Sequence, residues 1–142
     1  MQLSRFTDYT LRVLFFTAVN NDRLTTLAEI AGFYEISIEH LRKVVHALSK
    51  SGYLQTFRGK NGGIRLAKAP EDINLGDVIA QSEGIAPLVD CMGQDCKLTG
   101  FCSLQSVFKE AQEAFMNTLR KYTLAQMLEN PQLQAELITK GR

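Results

Sequence analysis

Apolar residues recur at helical spacing in three stretches near the start of this 142-residue chain. The first stretch predicts a helix over 7–20, with Ser4 or Thr7 as its N-cap. An Asn-Asn-Asp run at 20–22 is expected to end it. The side chains expected to face the core are Leu11, Leu14, Phe15 and Ala18.

Two shorter helices are predicted next, separated by a tight turn. Thr26 and Glu29 have the spacing of a capping box and open the second helix, which we expect to end at Gly32. A four-residue turn over 33–36 follows, and Ser37 then caps the third helix. The expected buried residues are Leu27, Ile30 and Ala31 in the second helix and Ile38, Leu41, Val44, Val45 and Leu48 in the third. This is a helix-turn-helix pattern.

A glycine-rich polar segment separates two short β-prone runs after the third helix. The runs cover 53–57 and 64–66, and the segment between them is Arg-Gly-Lys-Asn-Gly-Gly. Its Asn61-Gly62 pair is a strong hairpin signal. A helix-turn-helix followed by a basic hairpin is a winged helix. The predicted fold class is therefore mainly α with a small β wing.

Helical periodicity weakens after the hairpin and then returns. Residues 70–74 read as a connector, 75–82 as a short helix, and 83–101 as a loop of the length that usually has a function. A helix over 103–121 would be about 28 Å long. Its apolar stripe consists of Leu104, Val107, Phe108, Ala111, Ala114, Phe115, Leu119 and Tyr122.

A stripe of this length exceeds what a small winged helix can cover, so we expect it to form a homodimer interface. Three regions follow from the pattern. They are a winged helix-turn-helix DNA-binding domain over 1–82, a cysteine loop over 83–102, and a long dimerisation helix with a C-terminal tail over 103–142.

Charge is distributed unevenly along the chain. Residues 1–70 carry a net charge of +5 and residues 71–142 a net charge of −4, although the whole chain is only +1. A basic front and an acidic back are typical of a polyanion-binding module joined to a separate interaction region. Chance alone could also produce the imbalance.

The face of the third helix opposite its apolar stripe is polar and mostly basic. Recognition helices meet base edges with their N-terminal residues, and cations on a wing suit the minor groove. A solvated helix face is the plain alternative, but the capping box, the turn and the basic hairpin together favour double-stranded DNA. The candidates are Glu39, His40, Arg42 and Lys43 on the helix and Arg58, Lys60, Asn61 and Arg65 on the wing.

The three cysteines of the chain lie within twelve residues. Cys91, Cys96 and Cys102 have the spacing C-x4-C-x5-C. Zinc sites usually need four ligands, and no histidine follows His46. An iron–sulfur cluster tolerates a distant fourth ligand. The spacing therefore favours a metal or cluster, with a thiol redox switch and no function as alternatives.

Other classes of protein receive little support. No nucleophile–base constellation, phosphate-binding loop or cofactor motif is visible, so an enzyme is not expected. The apolar run over 13–19 is too short to span a bilayer, follows Asp8 and Arg12, and precedes no small-residue cleavage site. A cytoplasmic protein without a membrane partner is expected.

Several segments together resemble a known family. They are the opening Met1-Gln2-Leu3 with Phe6-Thr7-Asp8-Tyr9, the wing over 58–66, the three cysteines, and Tyr122-Thr123-Leu124-Ala125. Over nearly its whole length the chain resembles the bacterial winged-helix iron–sulfur regulators of the Rrf2 type. Its cysteine spacing is similar to that of the nitric-oxide-sensing repressors. Cluster-status regulators of the family have x5 and x5 spacing and a histidine where this chain has Gln105.

The resemblance implies a cofactor and its ligands. It implies a cluster, most often 4Fe-4S, held by Cys91, Cys96 and Cys102 together with Asp8 of the partner subunit. Some members of the family hold a 2Fe-2S cluster with other N-terminal ligands. On its own, Asp8 reads only as a carboxylate in the first turn of a helix, four residues before Arg12.

The resemblance also implies a mechanism. Nitric oxide would destroy the cluster and free Asp8 to pair with Arg12, which makes Arg12 a candidate coupling residue. The spacing of the two recognition helices would then change, and the repressor would release its operators. An iron–sulfur-status regulator or a thiol- or zinc-based redox regulator of the same fold is the alternative.

Overall fold

The computed structural model describes residues 2–84 and 86–138. The helices are α1 (Arg5–Val19), α2 (Leu27–Tyr34), α3 (Ile38–Lys50), α4 (Leu75–Glu83), α5 (Ser103–Leu119), α6 (Leu124–Met127) and α7 (Pro131–Leu137). The strands are β1 (Leu54–Phe57) and β2 (Gly63–Leu66), and a 3-10 turn covers Pro70–Asp72. The predicted fold class, a mainly α chain with a small β wing, is confirmed.

The inward face of α1 differs from the predicted one. Its fully buried side chains include Val13, Phe16 and Thr17, whereas the expected Leu11, Phe15 and Ala18 are only half-buried. The pattern misled because threonines on this face satisfy their hydroxyls locally. Thr17 donates to the Val13 carbonyl at 2.7 Å, and Thr10 does the same to Phe6 at 2.8 Å. A hydroxyl that bonds its own helix can be buried.

The end of α2 was predicted wrongly. The helix continues through Gly32 to Tyr34, and its left-handed C-cap is Glu35 with a φ of 56°. The Ile36 N–H closes the turn on the Ala31 carbonyl. Glycine is the usual left-handed residue after a helix, which is why Gly32 was chosen. The turn of the helix-turn-helix is therefore shorter than expected.

Helix α3 begins where it was predicted to begin, because Ser37 Oγ accepts from the His40 N–H at 3.2 Å. Leu41, Val44, Val45 and Leu48 are buried as expected. Ile38 was expected to be buried and is instead exposed. It lies in the first turn, beyond the edge of the packed face.

The wing is an antiparallel hairpin that is joined to the segment before α2. β1 and β2 pair from Leu54–Leu66 to Phe57–Gly63, so the connection has five residues. The Gly62 N–H donates to the Gly59 carbonyl, which closes the turn without a two-residue Asn-Gly loop. Thr25 bridges Ile64 through two backbone hydrogen bonds of 3.0 and 2.7 Å. This bridge was not predicted, and it fixes the wing to the helix-turn-helix.

Two short C-terminal helices were not predicted. In α6 the Leu124 side chain is fully buried, and in α7 Leu137 belongs to the same hydrophobic core as α1 and α3. Asn20 donates its side-chain amide to the Leu137 carbonyl at 2.8 Å. Residues 124–138 therefore pack back on the winged helix, while the domain boundaries themselves stay a prediction. Residues 139–142 of the expected tail lie outside the described residues.

The long helix α5 has little contact with the core. None of its side chains, all of which the structure describes, is buried. Leu104, Val107 and Phe115 of the predicted stripe are exposed, and Tyr122 lies beyond the end of the helix. The described part of the chain contains no helix that is both long and apolar enough to cross a bilayer. The location in the cell stays a prediction.

Candidate DNA-binding surface and metal centre

The helix-turn-helix presents the polar face of α3 to solvent. Glu39, His40, Arg42 and Lys43 are all exposed, as are His46 and Lys50 further along. Glu39 and Arg42 form an ion pair across one turn. The His40 ring meets the Tyr9 ring edge-on, with their centroids 5.6 Å apart. The face therefore carries cations and hydrogen-bonding groups in the first two turns of the helix.

The wing places a second group of polar side chains beyond α3. Arg58, Lys60 and Asn61 are exposed on the five-residue connection, and Arg65 is exposed on β2. The Arg65 guanidinium lies over the Phe57 ring, 5.7 Å from its centroid. This stacking restrains a long side chain. Whether any of these residues contacts DNA stays a prediction.

The first turns of α1 gather charge and aromatic rings. The Arg12 guanidinium pairs with the Asp8 carboxylate at 2.9 Å, as the spacing predicted. It also lies 5.8 Å from the centroid of the Tyr9 ring and 5.5 Å from that of Tyr34. The Tyr34 hydroxyl donates to the Arg12 carbonyl, and burial raises the pKa of Tyr34 to about 12. The Asp8 side chain is 48% exposed, so its carboxylate is accessible from outside the chain.

A hydrogen-bonded cluster joins the start of α1 to the end of α4. The Glu83 carboxylate accepts from the Ser4 N–H at 3.0 Å, from the Ser4 hydroxyl at 2.9 Å and from the Thr7 hydroxyl at 2.5 Å. These bonds, led by the one from Thr7, hold the pKa of Glu83 below its usual value. Sequence reasoning missed this residue, because its partners lie more than seventy positions away.

The three cysteines lie in the segment between α4 and α5, which has turns but no helix or strand in its described part. All three are free; Cys91 and Cys102 are half-buried and Cys96 is exposed. Cys102 is the N-cap residue of α5, and its thiol makes no capping hydrogen bond.

A cavity of about 630 Å³ lies between α4, the cysteine segment and α5. Cys91 and Cys102 both line it, and so does Gln105. Cys96 is not among the described residues that line it. The Gln112 side chain donates to the Ala86 carbonyl at 2.7 Å and so ties the segment to α5.

The donor set fits an iron–sulfur cluster by its chemistry. Three free thiols in one irregular segment are the soft ligands that iron–sulfur clusters take. As they are placed, no three Cys, His, Asp or Glu side chains among residues 2–84 and 86–138 come close enough together to hold a metal ion.

These features define a class of protein. The polar face of the helix-turn-helix is exposed, and the wing is fixed beside it. With a cysteine segment before a long exposed helix, this is the architecture of a winged-helix transcriptional regulator. The model of the Rrf2 family, described as an iron-dependent transcriptional regulator, matches residues 3–130. The chain belongs to this family, which confirms the resemblance found in the sequence.

Similar proteins support the same class. The HTH-type transcriptional regulator NsrR of Halalkalibacterium halodurans is 44% identical over 145 residues, covering 99% of both chains. NsrR of Bacillus licheniformis is 45% identical over 134 residues, covering 92% of this chain and 94% of that one. Because these relatives are named as transcriptional regulators, the expectation that the chain is not an enzyme is confirmed.

Solved structures share the fold. The structure titled "T. potens IscR" is 25% identical with a TM-score of 0.74, covering 99% of this chain and 94% of that one. CymR, titled the global cysteine regulator of B. subtilis, is 24% identical with a TM-score of 0.73, covering 89% and 95%.

Proposed function

We propose that the chain is a dimeric transcriptional repressor that binds operator DNA and senses nitric oxide through an iron–sulfur cluster. The observation that carries the proposal is the set of three free thiols in one irregular segment, two of which line the same cavity. When bound, the cluster would supply iron sites that react with nitric oxide. A 4Fe-4S cluster is preferred, as in the family pattern with x4 and x5 spacing.

The proposed cluster ligands come from two subunits. Cys91, Cys96 and Cys102 would hold the cluster, and Asp8 of the partner subunit would be the fourth ligand. A carboxylate is a hard ligand beside soft thiolates, so we expect it to be the most easily exchanged. In this chain Asp8 already has Arg12 as an alternative partner at 2.9 Å. Asp8 can therefore exchange a metal for a guanidinium without remaining unpaired.

Dimerisation is supported by the exposed apolar face of α5. Leu104 and Val107 are each more than half exposed, and Phe115 is 40% exposed. With Ala111 and Ala114 they share one face at spacings of three and four residues, which suits packing against a second helix. A second copy would bury this face, and it would bring its own Asp8 to the assembly.

The experiment is an anaerobic purification of the full chain, with iron, sulfide and zinc measured per chain. About four iron and four sulfide per chain, with a visible spectrum bleached by nitric oxide, is the expected result. Operator binding is then measured before and after nitric oxide, and we expect it to weaken. About two iron and two sulfide would retain a regulator but change the cluster and its ligands.

A thiol- or zinc-based regulator of the same fold is the second candidate. Its thiol-based form is favoured by the separation of the thiols, since no metal-binding group of three is assembled among the described residues. Zinc in the purified protein, or no metal after anaerobic reconstitution, would replace the cluster proposal with this one. A cluster-status regulator would show the cluster but no specific response to nitric oxide.

A further inference from the structure

The Thr99 hydroxyl contacts the main chain at two of the three cysteines. Its Oγ1 atom lies 3.2 Å from the Cys91 carbonyl oxygen and 3.0 Å from the Cys96 carbonyl oxygen. The Thr99 N–H also donates to the Cys96 carbonyl at 3.3 Å. A hydroxyl has one proton, so the two carbonyls share it. The main chain at Cys91 and the main chain at Cys96, five positions apart, are thus both hydrogen-bonded to the Thr99 side chain.

Other hydrogen bonds near these cysteines act over shorter distances in the sequence. The Cys91 N–H donates to Val89 and the Cys96 N–H donates to Gln94, each at 3.0 Å. The Gly93 N–H donates to the Asp90 carboxylate at 2.7 Å. These bonds shape the individual turns. The Thr99 hydroxyl connects the turn that carries Cys91 with the turn that carries Cys96.

We propose that Thr99 is a positioning residue for the metal-binding thiols: its hydroxyl holds the backbone of Cys91 and Cys96 together before a thiophilic metal or cluster binds. The proposal rests on the proposed function, because it assumes that these thiols are ligands. Its physical basis is preorganisation. Ordering an irregular segment opposes binding, and a bond that already restricts the segment reduces that penalty.

The test uses the reduced, metal-free full-length protein under anaerobic conditions. Co²⁺ is the probe, and its binding is followed by the thiolate-to-cobalt absorption. Thr99→Val removes the hydroxyl and keeps the branched shape, whereas Thr99→Ser keeps the hydroxyl. We expect Thr99→Val to weaken the Co²⁺ affinity by roughly three- to tenfold, the effect of one hydrogen bond. Thr99→Ser is expected to stay close to wild type.

Two further readouts separate positioning from a general structural role. The segment lies outside the hydrophobic core, so the Tm of both variants is expected to match that of wild type. After reconstitution, Thr99→Val is expected to lose its iron to a chelator faster than Thr99→Ser. A fall in the Tm of Thr99→Val that accounts for its weaker binding would overturn the positioning role.

The remaining outcomes are also decisive. Equal Co²⁺ affinity in Thr99→Val and wild type overturns the inference, and so does an equal loss in both variants, because the hydroxyl would not be the cause. If wild type takes up no iron and sulfide but binds Co²⁺, the cluster proposal fails while the comparison of variants still tests Thr99. Wild-type protein that binds no Co²⁺ overturns the inference as well.

Discussion

The Glu83 carboxylate accepts a hydrogen bond of 2.5 Å from the Thr7 hydroxyl. It joins the last residue of α4, where the cysteine segment begins, to the first turn of α1, where Asp8 lies. Ser4, the N-cap of α1, donates to the same carboxylate through its N–H and its hydroxyl. A negative charge at this helix N-terminus is favourable. Hydrogen bonds within one chain therefore link the start of the cysteine segment to the helix turn that carries Asp8, and both regions are proposed to supply cluster ligands.

This relationship gives a pH-dependent stability. The pKa of Glu83 is lowered from 4.5 in the folded chain, so its contribution is fully present above pH 4.5 and is lost as the pH falls through the lowered pKa. We expect Glu83→Gln to decrease the Tm at pH 7, because the charged acceptor of these hydrogen bonds is lost. The decrease should be only a few degrees, since the Glu83 side chain is exposed and solvent screens its charge. At about pH 3 the difference from wild type should shrink.

Thermal unfolding at the two pH values checks this prediction. Glu129→Gln is the matched control, because it removes an exposed carboxylate with no long-range bond described. A Glu83→Gln variant that matched the Glu129→Gln control at pH 7 would show that the Glu83 cluster contributes nothing to stability.

Two glycines should respond in opposite directions to the same substitution. A Cβ at Gly63 would lie 2.6 Å from the Thr25 carbonyl oxygen, where the wing meets the segment before α2. Gly63→Ala should destabilise the fold by about 1–3 kcal/mol. A Cβ at Gly32 would meet no atom of the described residues within 4 Å, and Gly32 lies inside α2. Gly32→Ala should stabilise by about 0.5–1 kcal/mol.

Urea denaturation measures both changes in the free energy of unfolding. The sign at Gly32 is the sharper result. If Gly32 were the left-handed end of α2, as the sequence suggested, Ala would destabilise the protein instead of stabilising it.

Lys60 tests the proposed role of the wing. If its ammonium contacts a phosphate or the minor groove, Lys60→Ala should weaken binding to all operators and decrease the salt slope by about one. Fluorescence anisotropy at several salt concentrations measures both quantities. Lys121→Ala, which removes a cation after α5, is the control.

Arg42→Ala and Lys43→Ala test the proposed recognition helix and should instead change sequence preference. Full operator binding by the double variant would contradict the assignment of α3 as the recognition helix.

The sequence predicted the elements whose signals are local. Ser37 caps α3 as expected, and the spacing of Asp8 and Arg12 gave a real ion pair. It failed where distant contacts decide. Helix α7 is held by the Asn20 amide, and Thr25 pairs with Ile64 across 39 positions.

The candidate site divides in the same way. Cysteine spacing pointed to the three thiols, since ligand chemistry can be read from residue type. The Glu83 cluster and the Thr99 contact could not be read, because each depends on where the backbone returns after a turn or a helix.

Asp8 tests the coupling between the metal site and the DNA-binding surface. The Asp8–Arg12 pair is partly exposed, so Asp8→Ala should change the free energy of unfolding by no more than about 1 kcal/mol. We expect the variant to lose its cluster more readily and to bind operator DNA more weakly. Asp22→Ala is the control. Full operator affinity together with an unchanged nitric oxide response in Asp8→Ala would rule out the coupling.

Val107 tests the dimer. Its side chain is 55% exposed in the middle of the apolar face of α5, and nothing within the described chain covers that face. An Asp at this position would bring a charge into the interface between two copies, where an unpaired charge is strongly unfavourable. Val107→Asp should therefore convert the proposed dimer to a monomer with an unchanged fold, measured by sedimentation and circular dichroism. Because each half-site is then bound by a separate chain, operator affinity should fall steeply.

Gln132→Asp is the control. It adds the same charge to an exposed position of α7 and should leave the dimer intact. A Val107→Asp variant that sedimented as a dimer would place the interface elsewhere on the chain.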